Sequence, residues 1–440
     1  MKLFAKRLSL ITLDPPQNSP SGAEENHRIS TGVGAENAPE ALPTFRQKWL
    51  EALKQVFPIY FAAHLAVFII DYLAVLFAFT MPYQFYGSHY QFIKSPRVSI
   101  LLTSWNMWPH DTSHYIEIAQ SGYDHSWLAA FFPFYPLLMH IVSYVTGNDY
   151  LIAALLISNI AGLIMLVVFY QLVKELFDHE RALRTVLYFS IFPSAFFFMA
   201  GYTETTFLCF VLLCFYEMHN RRWWLAGLFG LFAALTRNTG IFLVIPFCFE
   251  YLRQHQFRLK TLRWDVLSVA LIPAGLVIFM LYTYITLGDP LAFQHAQAYW
   301  HHIYVFPLSG LVIVLQTMIN SHALLSFVVA RNAIEIGTTT FIVVLLVLGL
   351  VGPWRFPRAY LAYFIFAAIV WSIPLFAPIR PITGPLPYQS LSRYMLAVFP
   401  AFIVLAMLGK HRIVHYTYLM VAGALFFFLL TQFLLGYMIT

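Results

Sequence analysis

Long apolar runs separated by short polar turns recur along most of the chain, without strand alternation and without the ten-residue segments of a membrane barrel. Many approach the roughly 20 residues that a helix needs to cross a hydrocarbon core. Backbone groups in lipid must find partners within their own segment, so the runs predict helices. They place about eleven crossings, at 56–80, 150–173, 184–201, 203–219, 222–237, 239–252, 265–287, 333–352, 359–377, 393–409 and 413–437. Two long segments lie between crossings, 81–149 and 288–332. Within them Phe131–Val145 and Val305–Val329 are apolar but interrupted or Pro-containing, and they read as helices lying in or dipping into the membrane interface.

Composition agrees with this pattern. Of 440 residues, 60% are hydrophobic and only 10% charged, so the chain is a polytopic membrane protein. Its few charges are ordered. Arg46, Lys48 and Lys54 precede the first crossing, and Lys174, Arg181, Arg184, Arg221, Arg222, Arg253, Arg258, Lys260, Arg263, Arg355, Arg358, Lys410 and Arg412 fall at alternate turns. The positive-inside rule makes these turns cytoplasmic, with the amino terminus inside and the carboxyl terminus outside. Membrane orientation explains the net charge of +6 better than nucleic-acid binding does. Residues 1–45 have the composition of a disordered cytoplasmic tail, leaving 46–440 as the membrane domain. The early LSLITL run is too short for a signal peptide, and the first crossing is expected to act as signal and anchor. Cys209, Cys214 and Cys248 fall within predicted crossings without metal-ligand spacing and read as core filling.

Chemistry is expected where polar residues gather against cost. The segment WNMWPHDTSHYIEIAQSGYDHSWLAAFFPFY, from Trp105 to Tyr135, sets His110, Asp111, His114, Glu117 and Asp124 into the first external loop. Glu204, Arg237 with Asn238, Asp289, His295, His301, His302, Arg331, Glu335, Arg380 and Arg393 fall near other external ends. This one-sidedness suits an enzyme working at the outer face. A transporter would set ionisable groups near mid-bilayer, and Asp71 is the only clear mid-span carboxylate.

The residues also carry a family likeness. HDTSHYIEIAQSGY followed by AAFFPFYPLL resembles the first lumenal loop of the PIG-V family, of the GPI mannosyltransferase II type. FPSAFFFMAGYTETTFL, LFAALTRNTGIFL, LGDPLAFQHAQAYW and SLSRYMLAVFP resemble its later motifs in the same order, covering residues from about 105 to 400. His110 departs from the family's usual Trp, and Asn238 from its frequent Pro.

The resemblance implies a GT-C bundle: all-α, about 11 transmembrane helices, with a long first extracytoplasmic loop carrying interfacial helices. It implies a polyprenyl-phosphate sugar as donor, a glycolipid or glycan acceptor, and transfer of a hexose, mannose first. On this reading Asp111 is the general base, worth typically about 10²- to 10⁴-fold. Its alternative is to cap the helix that follows. Glu117, six residues later, points about 240° away on a helix and reads as structural or as a surface carboxylate. Glu204 is a catalytic candidate or a carboxylate complementing a helix dipole. Arg393 and Arg237 offer guanidinium forks to the donor phosphate, or else anchor at the interface. His110, His114, Tyr115, Gln297, Trp300 and Tyr394 are the substrate-binding candidates. No spacing demands a metal, and a divalent ion stays open. The location is a bacterial plasma membrane, or the ER in a eukaryote. Other readings are a transporter or flippase of lipid-linked sugars, or an inactive family member acting as a subunit.

Overall fold

The computed structural model describes residues 44–78, 110–300, 302, 306, 309–320, 327–376 and 390–434. The predicted tail lies outside them except for its last two residues, Thr44 and Phe45, the second of which opens the first helix. Phe45–Thr440 forms one compact unit. All regular elements among the described residues are helical.

Helix α1 (Phe45–Ala78) comes first, starting earlier than the hydropathy pattern suggests. After it come α2 (His110–Ser121), a 3₁₀ turn at Ser126–Ala130, and α3 (Phe134–Ser143). Helix α4 (Tyr150–Leu176) is capped by Asp149, whose carboxylate accepts the Leu151 and Ile152 N–H groups at 3.0 and 2.9 Å. Helix α5 (His179–Ser190) is capped likewise by Asp178, and the chain then breaks at Ala195–Phe198 before α6 (Glu204–His219). Next are α7 (Trp223–Thr236), a 3₁₀ turn at Asn238–Leu243 and α8 (Val244–Gln254). The second half holds α9 (Leu271–Leu287), α10 (Ala292–Tyr299), α11 (Ser309–Asn320), α12 (Phe327–Leu350) and α13 (Leu361–Phe376). It closes with α14 (Leu391–Tyr394), α15 (Pro400–Leu408) and α16 (Arg412–Leu434).

Among the described residues, six helical segments are long and apolar enough to cross a membrane, and a seventh crossing arises if the segments on either side of an 85° bend before Pro400 count as one. The count of eleven is therefore not confirmed. Four expected crossings, 184–201, 203–219, 222–237 and 239–252, correspond to helices of 11 to 16 residues. At 1.5 Å per residue, even α6 rises only about 24 Å. Its side chains, from Glu204 to Met218, are nearly all buried against neighbouring helices. A hydropathy window cannot tell helix-facing from lipid-facing apolar residues. The two interrupted apolar segments do contain short helices, α3 and α11. Cys209 and Cys214 fill the core as expected, whereas Cys248, on α8, is exposed.

Helix α6 packs between α4 and α7, and this trio carries the segment that holds Glu204 and Arg237. Arg237 leaves α7 in an extended conformation, and the following turn lies directly on α7 because Gly240 has no side chain. A Cβ there would sit 2.5 Å from the Ala233 carbonyl oxygen and the Ala234 nitrogen, positions held by the helix. Gly240→Ala should therefore push the turn away, with an overpacking cost of about 1–3 kcal/mol. A lowered thermal midpoint in detergent is the expected result; an unchanged one would contradict this packing.

Candidate functional site

Arg393 is the centre of the site. It lies on α14, a single turn that begins with Ser390 in the left-handed region at φ 60°, and only 7% of it is exposed. Its guanidinium carbon sits 4.6 Å from the centroid of the Tyr202 ring and 4.9 Å from that of Phe197, both in the break between α5 and α6. The rings hold the plane of the fork by cation–π contact and leave its edges for hydrogen bonding.

Those edges reach two carboxylates distant in sequence. Arg393 Nη2 lies 2.8 Å from Asp111 Oδ2, and Nε donates to Glu204 Oε1 at 2.5 Å. Arg237 Nη1 donates to the same Glu204 oxygen at 2.5 Å and to Thr203 Oγ1 at 3.4 Å. The Arg237 guanidinium also lies 5.6 Å from the Tyr394 ring centroid and 5.8 Å from that of Phe207. The result is a chain of alternating charges, Asp111–Arg393–Glu204–Arg237, formally neutral in sum. The second Glu204 oxygen is buried and accepts no hydrogen bond among the described residues. Asp111 is the more open carboxylate, with 24% of its side chain exposed against 4% for Glu204.

Asp111 lies in the first turn of α2, inside the helix and not at the cap position. Thr112 fastens that turn, its hydroxyl donating to the Gly201 carbonyl at 3.0 Å, and the Tyr115 hydroxyl lies 3.4 Å from Thr203 Oγ1. Deeper in, Tyr135 reaches Ser158 at 2.8 Å, and Ser158 donates to the Tyr202 carbonyl at 2.9 Å. Helix α2 is thus bound to the same backbone that places Glu204.

The structure thereby brings Asp111, Glu204, Arg237, Arg393, Tyr115 and Tyr394 together. His114 stands one helical turn from Asp111 inside an aromatic box, its ring centroid 5.0 Å from those of Trp127 and Phe131 and 5.2 Å from that of Trp300. The Trp300 indole N–H donates to the Trp127 carbonyl at 3.3 Å, which joins α10 to the first loop. Gln297 instead turns back on its own helix, its amide 3.4 Å from the Phe293 carbonyl. His110 opens α2, but its side chain lies outside the described residues, as do Arg380 and the residues before it from Met81 to Pro109. Asp71 is fully buried within α1.

Sequence reasoning missed the roles of Phe197, Tyr202 and Thr203. All three fall in the FPSAFFFMAGYTE stretch, whose polar Tyr-Thr-Glu following an aromatic run was the available signal.

A cation at the central carboxylates would have to displace arginines, so this donor set is a poor fit for a divalent metal. Glu117, Asp124 and His125 are better disposed, each with one ligand atom within 4.8 Å of the others. Asp124 lies 2.9 Å from His125, raising the imidazole above its ordinary value while its own carboxyl is lowered. Asp289 is likewise lowered, by its hydrogen bond from His295 at 2.7 Å.

Residues 124–285 match the family model described as dolichyl-phosphate-mannose-protein mannosyltransferase. The match includes Glu204 and Arg237 and covers under half of the chain. No curated protein matches the sequence significantly. Among solved structures, the apo oligosaccharyltransferase of Archaeoglobus fulgidus is similar at 13% identity and TM-score 0.45, over 87% of this chain and 56% of that one. The present chain thus spans about half of that protein's length. ArnT of Cupriavidus metallidurans, bound to undecaprenyl phosphate, is similar at 14% identity and TM-score 0.39, over 77% of each chain. With TM-scores below 0.5, neither likeness bears on the site, which stands on its own geometry.

Two outcomes follow from these contacts. Removing one partner of a buried ion pair strands the other, at about 3–5 kcal/mol. Glu204→Gln leaves Arg237 without a carboxylate among the described residues and Arg393 with Asp111 alone, whereas Asp111→Asn leaves both guanidinium groups bound to Glu204. The Glu204 variant should therefore melt well below the Asp111 variant in detergent, and equal midpoints would contradict the shared-carboxylate geometry. At His125 the attraction is complete below the ordinary histidine pKa and is lost as pH rises through the raised value. Asp124→Asn should lower the pH at which His125 titrates in histidine-labelled NMR; an unchanged titration would contradict the pairing.

Proposed function

We propose that the protein is a membrane glycosyltransferase of GT-C type that moves a hexose, mannose first, from a polyprenyl-phosphate donor to a glycolipid or glycan acceptor. The observation that carries this reading is the Asp111–Arg393–Glu204–Arg237 chain. Its four members lie on four of the five motifs that resemble the PIG-V family, and the family match over 124–285 supports the same class.

The chemistry needs a proton acceptor beside an acceptor hydroxyl and positive charge beside a departing lipid phosphate. Asp111 is the carboxylate with access, so it takes the proton as the hydroxyl oxygen bonds to the anomeric carbon. Breaking the bond from anomeric carbon to phosphate oxygen leaves an added negative charge on the phosphate, and Arg393 and Arg237 meet it. Glu204 holds both guanidinium groups in place before the phosphate arrives. Such preorganised charge acts without reorganisation during the reaction. Binding a phosphate then requires the arginines to exchange part of their carboxylate contact for phosphate contact.

The aromatic box around His114 lies one turn from the base, and Tyr299, exposed and stacked on Trp127 with ring centroids 5.5 Å apart, extends it as a surface against which a sugar can stack. Positive-inside charge puts this end of the bundle outside the cytoplasm. A multi-pass protein of a bacterial plasma membrane, or of the ER in a eukaryote, is the corresponding location.

In lipid nanodiscs supplied with a panel of polyprenyl-phosphate hexoses, the parent should release polyprenyl phosphate and form a glycosidic bond. Asp111→Asn should lower the rate by about 10²- to 10⁴-fold. Parental transfer by that variant would remove Asp111 as the base. Movement of donor across sealed vesicles without any glycosidic product would favour a flippase instead.

A further inference from the structure

Arg393 owes its position to a turn too short to hold itself. Helix α14 has four residues, Leu391–Tyr394, and the first N–H groups of a helix have no partner within it. One of them, the Ser392 N–H, is taken by another helix: it donates to Glu335 Oε2 of α12 at 2.6 Å. The other Glu335 oxygen accepts Arg331 Nε and Nη2 at 3.2 and 3.1 Å, one turn earlier on α12. On the far side of the same residue, Ser194 Oγ donates to the Ser392 carbonyl at 2.8 Å. All four residues are at most 2% exposed.

An ion pair buried this deeply is costly in a bundle that apolar residues would fill as well. Here its carboxylate completes the backbone of a reactive turn. Ser392 is held at its N–H and its carbonyl by two separate elements, and Arg393 follows directly.

We infer that Glu335, fixed by Arg331, is a positioning residue that caps α14 from outside and, together with Ser194, sets the angle at which Arg393 meets Asp111 and the leaving phosphate. This rests on the glycosyl-transfer reading. Among the described residues, no hydrogen bond or ion pair joins Glu335 to Asp111. A Gln in its place turns its one acceptor oxygen to Arg331 or to Ser392 and sets an NH2 donor against the other.

The test is a mutant cycle in nanodiscs with the polyprenyl-phosphate hexose that the parent uses. Glu335→Gln alone and Ser194→Ala alone should each lower kcat, Glu335→Gln by tenfold or more, with the donor KM changed less than threefold. Combined with Arg393→Lys, neither should lower the rate further than Arg393→Lys does by itself. Losses that multiply would overturn the inference, because Glu335 would then act independently of Arg393. Ser194→Ala removes only one neutral hydrogen bond and keeps the test open if the Glu335 variant fails to fold. If the parent forms no glycosidic bond with any donor, the transfer reading falls, and the same cycle is read on affinity for polyprenyl phosphate. Multiplying losses there overturn the clamp as well.

Discussion

A guanidinium buried in a helical membrane bundle has to be met by carboxylates, and Arg393 is met by two. Without Asp111 and Glu204 on its edges, its desolvation would have no compensation, and the turn that carries it would not be placed between α2 and α6. The requirement is mutual, because Glu204 is more deeply buried than Arg393 and needs both arginines. The positions of α2, α6, the turn after α7 and α14 are therefore linked through one short run of alternating charge. Aromatic rings and single hydroxyl contacts then hold the linked elements in register.

This constraint explains why short elements cluster here. The break before α6, the single turn of α14, the extended Arg237 and the 85° bend before Pro400 all interrupt helices that would otherwise bury their ends in apolar surroundings. Irregular backbone inside a membrane protein is tolerated where side chains or a cavity satisfy it. Glu335, Ser194 and Thr112 do so here, each bonding to a backbone group in another segment. The same interruptions free backbone to present charged groups at one place. In a glycosyltransferase that place is where a lipid phosphate must leave.

The helical class and the residues of the charged cluster were legible because both depend on residue type. Asp111, Glu204, Arg237 and Arg393 stand out as charges that an apolar chain can hold only at a cost, and ordered motifs tie them together. Helical angle sets Glu117 apart from Asp111, and Glu117 lies 3.9 Å from His114 and beside Asp124 and His125. Other features depend on partners far along the chain. Nothing in the pattern around Glu335 announces that its carboxylate reaches the Ser392 backbone, since the contact pairs a side chain with an N–H that every residue possesses. The count of eleven crossings is not confirmed for a related reason: α6 is apolar because it is surrounded by protein. The outward face of α8 that leaves Cys248 exposed is likewise a matter of packing, invisible to a count of apolar residues.

The most direct measurement is a structure of the protein in nanodiscs with a non-transferable polyprenyl-phosphonate analogue of the donor sugar. The account predicts the phosphonate within hydrogen-bond distance of the Arg393 and Arg237 guanidinium groups, the anomeric carbon facing Asp111, and Glu335 still bonded to the Ser392 N–H. A phosphonate bound elsewhere, with all four charges paired as they are here, would contradict it.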